Sequence, residues 1–112
     1  MQTVLETPPY LADAEHLFTD EERTGIVDMV AANPHCGVVI SGSNGVRKVR
    51  FGFRGRGKSG GARVIYLFGG DNVPIFLLAA FAKNEKSDLT PKERIALGKS
   101  VTELLANYRR KR

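Results

Sequence analysis

The 112-residue chain is 42% hydrophobic and 26% charged, which fits one modest globular domain over residues 1–112 and excludes wholesale disorder. Its longest apolar run, residues 75–82, is far short of the roughly 20 residues of a membrane-spanning helix. The N-terminus MQTVLETPPY has no basic-then-apolar leader and Cys36 has no second cysteine to pair with, so a reducing cytoplasm is the expected setting. The net charge of +5 hides an asymmetry: residues 1–45 hold seven acids and one base, and the rest holds sixteen bases and five acids.

Thr3 to Glu6 reads as a short extended segment ended by Pro8-Pro9, with a helical turn from about Tyr10 to Leu17. Thr19 and Glu22 have capping-box spacing, and Ile26, Met29 and Val30 share one helical face, so a helix runs from Thr19 to the stop at Asn33-Pro34. Gly37 to Ile40 is a short candidate strand before the turn residues Ser41 to Gly45. From Val46 the period becomes two, with Val49, Phe51 and Phe53 facing inward and Lys48, Arg50 and Arg54 outward. After the loop Gly55 to Gly61, the nearly all-apolar Ala62 to Phe68 reads as a central strand covered on both faces. Val73 to Phe81 is a third β-rich segment, with Pro74 near its start. Thr90-Pro91-x-Glu93 opens a terminal helix whose Leu97, Val101, Leu104 and Tyr108 form one stripe.

Residues 52–59, GFRGRGKS, satisfy the nucleotide-binding pattern G-x-x-x-x-G-K-[ST]. A phosphate cradle of that kind needs a helix starting at its Lys-Ser pair. Here Gly60-Gly61 and the β-formers Val64, Ile65 and Tyr66 follow, so the stretch predicts a basic connection between antiparallel strands. From Arg47 to Arg63 there is no acid, but there are Arg47, Lys48, Arg50, Arg54, Arg56, Lys58 and Arg63. Such a cluster draws polyanions, which points to nucleic acid or phosphate.

His16, His35 and Cys36 do not make a metal-ligand pattern, and Ser41, Ser43 and Ser59 lack a nucleophile elbow, so neither a metal nor another cofactor is expected. Phosphate chemistry by cations remains. In RNA the 2′-hydroxyl attacks its own adjacent phosphate once the backbone is oriented, a proton removed and the phosphorane charge stabilised. Arginine fits the charge-stabilising task, and a lysine whose pKa is lowered by like charges can move the proton.

The segments GVRKVRF, GKSGGARVIYLF and AFAKNEKSDLT, in this order before a terminal helix, resemble RelE-superfamily toxins, and most nearly their HigB-type branch. The resemblance covers about Val46 to Leu105 well, and GGARVIY and KNEKSDLT are its most specific pieces. It implies an α+β fold: a small twisted antiparallel β-sheet packed by N-terminal helices and a C-terminal helix. It also implies the toxin of a type II toxin–antitoxin module that cuts mRNA in the ribosomal A site without a metal. Its partners would then be the ribosome, mRNA and a cognate helix-turn-helix antitoxin, with operator DNA met only through that antitoxin.

Carried onto this chain, the resemblance gives Arg63 the phosphate-stabilising role and makes Lys58, Lys83 and Lys86 the other catalytic candidates. Arg47, Lys48, Arg50, Arg54 and Arg56 become RNA-gripping residues. Asn84 stands where many relatives have arginine, and Leu89-Thr90 where some have tyrosine. Arg109 to Arg112 is a ribosomal-RNA contact or a tail. Two other classes compete: a ParE-like toxin that binds DNA gyrase without cutting RNA, and a basic ribosome-associated protein. The latter needs aromatics on an exposed sheet face.

Overall fold

The computed structural model describes residues 2–53 and 60–110. Its elements are β1 (Val4–Glu6), α1 (Pro8–Leu17), α2 (Asp20–Ala32), β2 (Val38–Val39), β3 (Val46–Phe51), β4 (Ala62–Leu67), β5 (Ile75–Ala82) and α3 (Pro91–Arg110). The strands form one sheet in the order β1-β5-β4-β3-β2. β2 to β5 pair antiparallel, as expected, but β1 runs parallel to β5, so the sheet is mixed. A three-residue strand carries no sign of its pairing direction; the direction follows from where α1 and α2 return the chain.

Local chemistry sets the helix starts. Thr7 caps α1 and its hydroxyl also donates to the Leu77 carbonyl at 2.7 Å. Pro8 and Pro9 therefore do more than end β1: they occupy the first two helical positions, where no intrahelical donor is lost. In α2 the Thr19 hydroxyl accepts from the Glu22 amide while the Glu22 carboxylate accepts from the Thr19 amide. Thr90 and Glu93 repeat this reciprocal cap at the start of α3. Each cap contributes about 1 kcal/mol. Where β1 stops, β5 would be left with a bare edge, and the Asp13 carboxylate of α1 accepts the Ala80 amide there at 3.0 Å.

Both faces of the sheet are covered, by different helices. Val49, Val64, Tyr66, Ile75 and Leu77 pack with Tyr10, Ala14, Ile26 and Val30 of α1 and α2. Phe51 and Phe53 join this side against Phe18, at ring-centroid separations of 6.0 and 5.9 Å. On the opposite face Val46, Ile65, Leu67 and Phe76 pack with Val101, and Leu97, Leu104 and Tyr108 complete the stripe of α3. A bulge on β5 reverses its alternation, since Tyr66 pairs with Leu77 but Ile65 with Ala79. Ile75 and Leu77 thus share a face with Ala80 and Ala82, while Phe76, Ala79 and Phe81 look towards the α3 side. Beyond Gly61 the chain enters β4 directly, so the helix that a nucleotide cradle needs does not follow the glycine-rich stretch.

Candidate nucleic-acid interface

The period of β3 sorts its cations. Val46, Lys48 and Arg50 point to the α3 side, and Arg47, Val49 and Phe51 to the other. Across the ladder Arg50 lies opposite Arg63, and Arg63 opposite Phe81. Directly opposed residues share a face, so Arg50, Arg63 and Phe81 form a transverse row about 10 Å long at strand spacings of about 4.8 Å. The row lies at the end of the face away from Val46, Leu67 and Phe76, where the α3 stripe packs.

Arg63 is held by its own turn. Its Nη1 donates to the Gly60 carbonyl at 2.7 Å and to the Ala62 carbonyl at 3.3 Å. Both bonds use one nitrogen, so among the described residues the Nε and Nη2 edge keeps its three N–H donors in the fork that matches two phosphate oxygens. The turn depends on two glycines with positive φ, Gly60 at 78° and Gly61 at 63°. A Cβ on Gly61 would lie 2.6 Å from the Phe51 carbonyl oxygen, and one on Gly60 would lie 2.9 Å from Lys83 Cγ. Lys83 is thus drawn against the same turn. Its amide donates to the Gly61 carbonyl at 3.0 Å, and its ammonium to the Ser87 carbonyl at 2.7 Å.

Two other cations are neutralised by acids in the first turn of α3 and in the segment just before it. Lys86 pairs with Glu93, and its ammonium also lies 5.7 Å from the centre of the Phe81 ring. Lys48 pairs with Asp88 at 3.0 Å, and Arg94 approaches the other carboxylate oxygen at 3.5 Å. The Lys86 hydrogen bond holds the Glu93 carboxyl below its ordinary range, and the Lys48 hydrogen bond does the same for Asp88. The Arg50 side chain, by contrast, is exposed and makes no hydrogen bond or ion pair among the described residues.

Arg47 does not join this group. It crosses to the α1 and α2 side, donates to the Gly37 carbonyl at 2.7 Å and meets His35 Nδ1 at 3.3 Å. His35 itself packs edge-on against Phe68 at 5.0 Å. The neighbouring Tyr66 hydroxyl donates to the Pro34 carbonyl at 2.7 Å and accepts the Gly37 amide at 2.9 Å. Burial, helped by the contact with Cys36, pushes the Tyr66 phenol up to about 12.

Of the sequence candidates, the structure brings together Arg50, Arg63, Lys83 and Lys86, sets Lys48 beside them and turns Arg47 away. Arg54, Arg56 and Lys58 lie outside the described residues. Sequence reasoning passed over Phe81, Asp88 and Glu93. The first was counted as an ordinary strand residue, and the bulge that aims it cannot be read from IFLLAAFA. The two acids sit in a segment noticed for its lysines and its helix cap.

A two-sided, mostly antiparallel sheet with a cationic row beyond its C-terminal helix defines a small α+β domain suited to gripping phosphates. Comparison with known proteins gives the family. The family described as "RelE toxin of RelE / RelB toxin-antitoxin system" matches residues 40–111, more than half of the chain, and the chain belongs to it. Among solved structures, the fold is similar to a double arginine-to-alanine variant of the E. coli toxin RelE in the free state, with a TM-score of 0.55. The match covers 77% of this chain and 87% of that one, at 14% identity, a level that shows the fold alone. Among the described residues no helix is long and apolar enough to cross a membrane.

Proposed function

We propose that this RelE-family chain is a ribosome-dependent mRNA endonuclease of the HigB type, cutting the message in the A site without a metal and restrained by a helix-turn-helix antitoxin. The observation that supports this most is Arg63, which is fixed by the Gly60 carbonyl yet, among the described residues, keeps its bidentate edge free beside Arg50 and Lys83. That arrangement costs little reorganisation when phosphorane charge develops. In the proposed reaction the 2′-oxygen bonds to the adjacent phosphorus as the bond to the 5′-oxygen breaks. Arg63 takes up the added charge on the phosphoryl oxygens, and Arg50 grips a flanking phosphate. A lysine, Lys83 within the described site or Lys58 in the stretch before it, passes the proton lost by the 2′-hydroxyl to the leaving 5′-oxygen. Lys86 is less suited to that step, because Glu93 holds its ammonium.

The test is expression of the chain and of Arg63→Ala from a tightly controlled promoter, with mRNA ends mapped after induction. Growth arrest with cuts inside codons, lost in the variant, is the expected result. Arrest with intact mRNA and damaged DNA would instead mark a gyrase-directed toxin, and absence of arrest in the unaltered chain would remove the toxin reading.

A further inference from the structure

We infer that Phe81 is a stacking platform for an unpaired nucleobase, set beside the phosphate held at Arg63; the inference rests on the RNA-site reading above. Two phenylalanines on β5 face the α3 side, and they differ in what covers them. Phe76 is buried, 4% exposed, with the Tyr108 ring edge-on at 6.1 Å. Phe81 is only partly buried, and a lysine ammonium stands over its ring at 5.7 Å. The stripe of α3 closes over one ring and leaves the other at the cationic end of the sheet.

Three features suit Phe81 to a base. It lies directly opposite Arg63, so a nucleotide whose phosphate meets the guanidinium has its base within one strand spacing of the ring. An aromatic face accepts any base, while the surrounding cations follow the backbone, which is how single-stranded nucleic acid is held. Finally, the group over the ring is a flexible lysine with an alternative place to rest, because Glu93 lies on the capped start of α3 and already holds that ammonium. A base arriving at Phe81 displaces Lys86 from the ring without leaving it unpaired. Glu93 thereby positions the lysine away from the incoming phosphate. The family tyrosine missing at Leu89-Thr90 has no part in this geometry, since the platform sits on the strand itself.

The chain contains no tryptophan, so Phe81→Trp places a single indole at the site. The probe is a short single-stranded 2′-O-methyl oligoribonucleotide, which cannot be cut because its attacking hydroxyl is blocked, compared with an abasic oligomer of the same backbone. The base-containing oligomer should quench the Trp fluorescence and the abasic one should not. In the otherwise unaltered chain, Phe81→Leu should weaken the base-containing oligomer by about tenfold and leave abasic binding unchanged. Arg63→Ala should weaken both. Equal quenching by the two oligomers, or a Phe81→Leu chain that keeps the preference for bases, overturns the platform while leaving the RNA site intact. Absence of binding to either oligomer by the unaltered chain, both free and on ribosomes with an open A site, overturns both. The base can come from the message or from ribosomal RNA. On programmed ribosomes, an abasic residue in the message that removes the difference between Phe81 and Leu at this position assigns it to the message, and an unchanged difference assigns it to ribosomal RNA.

Discussion

Arg47 and Arg50 stand three residues apart on β3, and they belong to opposite polar clusters. Around Arg47, on the α1 and α2 side, donors and acceptors are matched. The Tyr66 hydroxyl serves Pro34 and Gly37, and Arg47 serves Gly37 and His35. Around Arg50, on the α3 side, acids pair with Lys48, Lys86 and Arg94, and among the described residues the row from Arg50 to Arg63 faces outward with donors to spare. The difference teaches that positive charge density alone does not locate a binding site. The pleat decides which cations are spent on the fold and which remain for a ligand.

The comparison breaks most severely at the glycine turn. Gly61→Ala forces a side chain into φ +63° and against the Phe51 carbonyl, and should destabilise the chain by about 2–3 kcal/mol in urea unfolding. It should also lose activity, since the same turn holds Arg63. Next in size is Arg63→Lys, which keeps the charge and loses the fork. Cleavage should fall by about one to two orders of magnitude, with the thermal midpoint moved by no more than about 4 °C.

Tyr66→Phe should act in the opposite sense. Removing the hydroxyl leaves the Gly37 amide and the Pro34 carbonyl without their buried partner, a cost of about 1–3 kcal/mol in stability, with cleavage by the folded protein unchanged. The same phenol sets an alkaline limit. Because Tyr66 keeps its proton up to about 12 when folded, against 10.0 ordinarily, the folded state binds more protons between those values. Its contribution to stability is full below pH 10 and is lost as pH rises towards 12, which unfolding midpoints measured across that window should follow.

The smallest effect belongs to Asp88. Its carboxyl is held low when folded, so its contribution is present above the ordinary pKa near 3.8 and disappears as pH falls through the folded value. The pair with Lys48 is only partly buried, so solvent screens it and Asp88→Asn should cost only about a few tenths of a kcal/mol at neutral pH, and less in high salt.

Much of this arrangement was legible in the residues themselves. The caps at Thr19 and Thr90, the alternation of β3, the double burial of β4 and the α3 stripe all follow from periodicity and end chemistry, because each is a local pattern. The parallel pairing of β1 was not, because pairing direction is a long-range property of three residues. Within the site, Arg63 and its glycines were visible as a motif. The rejection of Arg47 was implicit in the strand period but obscured by counting the run from Arg47 to Arg63 as one cluster. Phe81 depended on a bulge, and the pairing of Lys86 and Lys48 on where α3 begins; neither is written in local sequence.

The division between the two clusters is tested most directly by mapping mRNA ends on programmed ribosomes incubated with the unaltered chain, Arg63→Ala and Arg47→Ala. The account predicts cleavage by the unaltered chain, a loss of about 10² to 10³ in rate for Arg63→Ala, as for removal of one charge-stabilising donor, and near-full cleavage by Arg47→Ala. Equal losses in the two variants, or a message left intact by the unaltered chain, would contradict it.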